Sequence, residues 1–167
     1  NWSGFARRWD WQTLQRECAG NLLNTGPHPV DQAVVLFGDA YPEVFCRMAA
    51  YHFDFGGDAD NFCALTLYGK GRPTIEVQVS SFLAYPQGEQ YNIQGTCGGL
   101  SGGPAELRWK YFDPKSAPKH TLWKPWSFDR QYCSETLGWQ EESWRFAAAS
   151  SNGNGLGSLS RGDYRNL

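Results

Sequence analysis

Thr74–Trp109 reads TIEVQVSSFLAYPQGEQYNIQGTCGGLSGGPAELRW, and its periodicity sets the fold class. Ile75, Val77 and Val79 alternate with Glu76 and Gln78, the two-residue period of a half-buried strand. Pro86–Glu89 has turn composition. Tyr91–Thr96 and Glu106–Phe112 read as two more strands. Between them lies a Gly/Ser/Pro reversal with five glycines from Gly95 to Gly103. Strand, turn, strand, reversal, strand is the signature of antiparallel β structure.

Working outward, Phe62–Tyr68 is a further strand between turn segments GGDADN (56–61) and GKGRP (69–73). Ala33–Phe37, AVVLF, reads as a buried strand. Pro42–Phe55 is ambiguous. Pro42-Glu43 suits a helix start with Val44, Phe45, Met48 and Ala49 inward, whereas AAYHFDF alternates like a strand. Residues 3–23 are expected to be helical, with Ser3 as cap and Phe5, Trp9, Leu14 and Cys18 along it. Gly26, Pro27 and Pro29 then break that helix. Downstream, 113–120 is a loop, Thr121–Arg130 is extended, and Gln140–Ala149 is a strand or a short helix. Many short strands predict a mostly β fold over residues 1–150, a single antiparallel β-barrel with the helix packed outside or capping one end. A β-sandwich is the alternative. Residues 151–167 read as a flexible Gly/Ser-rich tail.

Composition excludes several classes. Fifteen basic and seventeen acidic residues give a net charge of −2, without the basic stripe of a nucleic-acid binder. No apolar run has the length of a membrane span. The chain begins at Asn1, which reads as a processed protein or an internal piece. Aromatics are 16% of residues, enough to fill a core and line a cavity. Five cysteines, at 18, 46, 63, 97 and 133, form no zinc-binding frame. Buried free thiols are weighed slightly above disulfides, and an intracellular protein slightly above a secreted one. Asn1-Trp2-Ser3 fits a glycosylation acceptor.

Three pieces of sequence carry a family resemblance: YHFDFG at Tyr51–Gly56, IEVQV at Ile75–Val79 followed by Leu83 and Tyr85, and YNIQGTCGGLSGGPAELRW at 91–109. Together they resemble the allene oxide cyclase/dirigent superfamily. The resemblance implies an eight-stranded, calycin-like barrel around a largely apolar cavity. It implies cyclisation or coupling of a hydrophobic small molecule there, with no metal or organic cofactor, and oligomers such as a homo-oligomer. Phe62–Tyr68, the N-terminal region and the Trp-rich C-terminal third have no counterpart in it. No catalytic position of that superfamily maps onto a numbered residue here.

The candidate catalytic residues therefore come from strand alternation. His52 and Asp54 share one face, opposite Tyr51, Phe53 and Phe55. Together with Glu76 and Tyr91 they are the acid–base candidates, since burial among aromatics raises a carboxyl pKa toward working pH. Tyr51, Phe53, Gln78, Tyr85, Trp109, Tyr111, Trp123 and Trp126 are the candidate substrate-binding residues. The competing reading is that the polar face meets water and the aromatic face is plain core. Asp58-Ala59-Asp60-Asn61 begins like a calcium loop but lacks its later glycine and glutamate. The glycines at 95–103 do not make a phosphate loop, and Ser101 lacks nucleophile-elbow spacing. The expected function is a cofactor-independent cyclase or isomerase. The alternatives are a lipid- or pigment-binding barrel and a secreted, disulfide-bonded interaction protein.

Overall fold

The computed structural model describes residues 7–51, 57–85, 88–120 and 135–146. The chain enters through two single-turn 3-10 helices, Trp11–Thr13 and Gln15–Glu17. Asp10 caps the first by accepting from the Gln12 N–H at 2.9 Å. Cys18, in the left-handed region at φ 53°, ends the second. The long helix expected over 3–23 is therefore absent from its described part. The reason is geometric: thirteen residues from Phe5 to Cys18, at about 100° apiece, come round to roughly 220°, so the apolar positions share no helical face.

Two true helices follow, α1 (Asn21–Asn24) and α2 (Pro27–Phe37). AVVLF is the last half of α2, not a strand. Pro27 opens this helix instead of breaking it, because the first helical position needs no N–H and favours the proline φ. Gly38 stops the helix at φ 90°, a value that suits glycine.

The remaining elements are strands: β1 (Glu43–Ala49), β2 (Phe62–Tyr68), β3 (Ile75–Ser80), β4 (Tyr91–Gly95), β5 (Gly98–Gly103), β6 (Glu106–Tyr111) and β7 (Gln140–Arg145). They form two antiparallel sheets, β1-β2-β3 and β4-β5-β6-β7. Strand β5 lies inside the segment read as a reversal. Its glycines allow close pairing with β6: a Cβ at Gly98 would stand 2.7 Å from that of Tyr111.

Among the described residues, each sheet pairs only sequential strands and leaves two edges unpaired, so the expected barrel does not close. The sandwich fails as well, because the core lies between helix and sheet. Ala33 and Phe37 of α2 pack on Cys63, Leu65 and Leu67 of β2 and on Val77 and Val79 of β3. Leu22, Val30, Ala40 and Ile75 border this cluster. The architecture is an α+β layer continued by an open four-stranded meander. Among the described residues, no helix is long and apolar enough to cross a membrane.

Candidate functional site

The densest polar construction lies where α1, the 57–61 loop and the end of β3 meet. Asn21 is buried and fully engaged. Its N–H donates to the Asp60 carbonyl at 2.8 Å, its Nδ2 donates to the Asn61 carbonyl at 2.8 Å, and its Oδ1 accepts from Ser81 Oγ at 2.8 Å. Asp60 Oδ2 accepts from the Leu22 N–H at 2.9 Å, supplying α1 with the cap that its own Gly20 lacks. Gly20 sits at φ 114° directly over the Asp60 carboxylate, where a side chain would collide with Oδ1. Asn61 exchanges two bonds with the Tyr51 backbone, 2.8 Å to Oδ1 and 2.6 Å from Nδ2, and so extends the sheet with a side chain. Asp58 holds the entry turns by accepting from the Gln15 N–H at 2.8 Å. The two aspartates that resembled a calcium loop thus serve as helix and turn caps.

This network leaves a notch lined in part by Thr13, Gly20, Asn21, Asn24, Asp60 and Ser81, with a volume of about 10 Å³. That is room for about one water, so the network is scaffold, not a substrate pocket. What it positions is the α1–α2 corner. Gly26 N–H bonds the Asn21 carbonyl at 2.8 Å, and His28 N–H bonds the Thr25 carbonyl at 3.3 Å. The corner presents three exposed polar side chains: Asn24 at the end of α1, His28 in the first turn of α2, and Asp31 one turn on. Residues three apart on a helix share a face, so His28 and Asp31 are neighbours on α2.

A larger hollow, about 480 Å³, opens on the meander between Gln94, Ser101, Arg108, Lys110, Glu141 and Ser143, with Trp109 also on its wall. Its charges are largely compensated. Lys110 Nζ lies 3.0 Å from Glu141 and 5.0 Å from the Trp139 ring centre, and Arg108 pairs with Glu89 at 2.8 Å.

The residues singled out from the sequence scatter over this framework. His52, Phe53, Asp54, Trp123 and Trp126 lie outside the described residues, as does the 151–167 tail. Glu76 and Gln78 stand on the β3 face opposite the helices, paired with Thr66 and Ala64. Tyr91 belongs to the other sheet, where its hydroxyl donates to Gln32 Oε1 at 2.9 Å. Tyr51 packs edge-on against Phe82 at 5.4 Å. Tyr85 is exposed. The Tyr111 hydroxyl donates to Glu142 at 2.7 Å, and that bond raises its pKa. Among the described residues, no lumen gathers Tyr51, Glu76, Gln78, Tyr85, Tyr91, Trp109 and Tyr111, because the two sheets do not close into a barrel. Asn24, His28 and Asp31 are not among the residues singled out from the sequence. The signal was present: Pro27 at a helix start marks the next residues as a first turn.

A helix pair laid on a three-stranded sheet, running on into an open meander, defines an α+β domain with its polar corner at a helix start. Residues 1–101 match the family described as the GFO/IDH/MocA C-terminal domain, more than half of the chain, and the protein belongs to that family. The family is one of oxidoreductase-type enzymes. Among solved structures, an NAD-binding protein from Listeria innocua superposes with a TM-score of 0.57 at 15% identity, over 90% of this chain and 43% of that one. That likeness supports the fold. A putative oxidoreductase from Bacteroides fragilis NCTC 9343 aligns at a TM-score of 0.45 and 23% identity, over 67% of this chain and 35% of that one; nothing rests on it. No curated protein matches the sequence.

These findings replace the allene oxide cyclase/dirigent resemblance and the barrel cyclase or isomerase it implied. The resemblance rested on a glycine-rich strand reversal and aromatic strands in this chain. Such features follow from antiparallel pairing itself and do not identify a closed barrel.

Proposed function

We propose that this domain forms the substrate side of a nicotinamide-dependent oxidoreductase, with His28 as its proton-transfer residue and Asn24 and Asp31 as its polar neighbours. The observation that carries this reading is the family match over 1–101, which spans the whole α1–α2 corner and the scaffold beneath it. The chain spans 43% of the length of the Listeria NAD-binding protein, which leaves room in such a polypeptide for a second domain.

The described residues do not themselves fit a dinucleotide. Pyrophosphate binding of the doubly wound kind needs a glycine-rich turn from a strand into a helix. The glycine-rich run here passes from strand to strand, Gly95 to Gly103. The contribution of this chain is therefore acid–base chemistry and substrate placement. His28 is suited to the first, because an imidazole nitrogen can accept the proton of a substrate hydroxyl and hand it back. The polar corner favours a hydroxylated small molecule over the hydrophobic ligand expected from the sequence. Of the other described histidines, only His120 remains. It lies beyond the matched residues and pairs with Glu135 at 2.6 Å.

The test is His28→Gln in the polypeptide that carries this domain together with its dinucleotide-binding part. Turnover of a hydroxylated substrate is expected to fall about 10²–10⁴-fold, with nucleotide affinity unchanged. Unchanged turnover would remove His28 from the chemistry. Tight NAD binding by the isolated 167-residue chain would overturn the division of labour.

A further inference from the structure

We propose that Cys46 and Cys63 form an oxidisable dithiol that ties the edge strand β1 to β2 through a disulfide when the protein meets a hydroperoxide. In the β1–β2 register, Cys46 stands opposite Leu65 and Cys63 opposite Met48, so the two cysteines are diagonal neighbours on one face. Their sulfurs are 3.9 Å apart and both are free thiols. A disulfide needs a separation of about 2.05 Å, so closure requires the sulfurs to approach by about the width of one bond. The strand best able to yield is β1, which is exposed along nearly its whole length and, among the described residues, paired on one side only.

The two thiols differ in exposure, and that difference orders the chemistry. Cys46 is open to solvent, whereas Cys63 is completely buried in the core. Burial, and then the adjacent Cys46, push the Cys63 thiol up to about 12, which keeps it protonated and slow to react with an oxidant on its own. An oxidant therefore meets Cys46 first. The Cys46 sulfur attacks one peroxide oxygen, the O–O bond breaks, and the departing oxygen leaves as an alcohol with the thiol proton. Cys46 is now a sulfenic acid, oxidised by two electrons. The Cys63 sulfur then attacks the Cys46 sulfur, the S–O bond breaks, and hydroxide leaves as water with the Cys63 proton. Two thiols and one hydroperoxide become one disulfide, one alcohol and one water. The other described cysteines are placed elsewhere: Cys18 ends the second 3-10 turn and Cys97 lies in the β4–β5 turn, against Thr96.

The bond would lock β1 in register just before the Tyr51–Asn61 clasp that borders the α1–α2 corner. It does not depend on the reaction proposed above.

The experiment treats the folded 167-residue chain with hydrogen peroxide, blocks the remaining thiols, and maps the peptides by mass spectrometry. The expected product is a Cys46–Cys63 cross-linked peptide lighter by two hydrogens, with a rise in Tm of roughly 5–10 °C. Cys46→Ser, at an exposed position, is expected to abolish the cross-link and leave Cys63 unmodified. Cys63→Ala is expected to accumulate a Cys46 sulfenic acid that a dimedone probe captures. If Cys63→Ala does not fold, Cys46→Ser still decides the matter. Oxidation of Cys46 without a cross-link in the folded chain, or a cross-link from Cys46 to another cysteine, overturns the proposal.

Discussion

The two sheets of this domain are both antiparallel arrays of sequential strands, yet only one of them acquires a core. In β1-β2-β3, helix α2 covers β2 and β3, and Cys63, Leu65, Leu67, Val77 and Val79 vanish from solvent. In β4-β5-β6-β7, Gly102 is the one strand position that becomes buried, and β7 is exposed throughout. Alternation therefore specifies which residues share a face, but it does not decide whether anything covers that face. A second layer does, and here that layer is a helix whose apolar side includes Val30, Ala33 and Phe37.

Truncating one large side chain in each sheet system separates the covered sheet from the open one. Phe37 is 2% exposed, and Phe37→Ala is expected to cost about 3–5 kcal/mol, because the cavity under α2 has no neighbour free to fill it. Ile93→Ala in β4, at a site 43% exposed, is expected to cost less than about 1 kcal/mol. Urea unfolding of both variants measures the difference. Equal costs would mean that the meander is buried to the same depth and would erase the distinction.

The same contrast explains what was legible in the sequence. Phe62–Tyr68, bounded by two turn segments in the sequence, is β2 to the residue; Ile75–Ser80, Tyr91–Gly95 and Glu106–Tyr111 differ by a residue or so from their expected spans. Strand β5 was not legible, because Gly98-Gly99-Leu100-Ser101-Gly102-Gly103 has too few side chains to show a period. Helix α2 was hidden for the opposite reason. Its apolar run Ala33–Phe37 matches a buried strand, and its prolines read as breakers until placed at a first turn. Barrel closure is not written in the periodicity, since it depends on whether the outer strands β1, β3, β4 and β7 pair with one another, and alternation does not encode that. The α1–α2 corner went unread because Asn24, His28 and Asp31 lie across a helix junction that was taken for a loop.

Alkaline pH also distinguishes the two sheets, because among the described strands only the covered sheet buries a titratable thiol. The Cys63 pKa rises from 9.0 to about 12, chiefly through burial. Unfolded chains lose this proton above pH 9.0 while the folded chain retains it until about 12, so stability is complete below the lower value and falls between the two. The expected slope is about 1.4 kcal/mol per pH unit at its steepest, and Cys63→Ala is expected to remove that part of the alkaline loss. Denaturation midpoints at several pH values across this window, in the presence of reductant, provide the measurement. An identical alkaline slope in the variant would show that Cys63 is not the group responsible.

The smallest effect belongs to the polar face of the meander. Lys110 pairs with Glu141 at 3.0 Å and Arg145 with Glu106 at 3.1 Å, and all four side chains are well exposed. Water screens such pairs and the long side chains lose freedom in making them, so each contributes about 0–1 kcal/mol. Lys110→Ala also removes the contact with the Trp139 ring, which adds a few tenths to about 1 kcal/mol at an exposed site. The combined loss is expected to stay near 1 kcal/mol and to shrink as salt is raised, because screening acts on the ion pair. A loss of several kcal/mol that is indifferent to salt would mean that this face is covered by something excluding water. The open sheet would then have to be counted with the buried one.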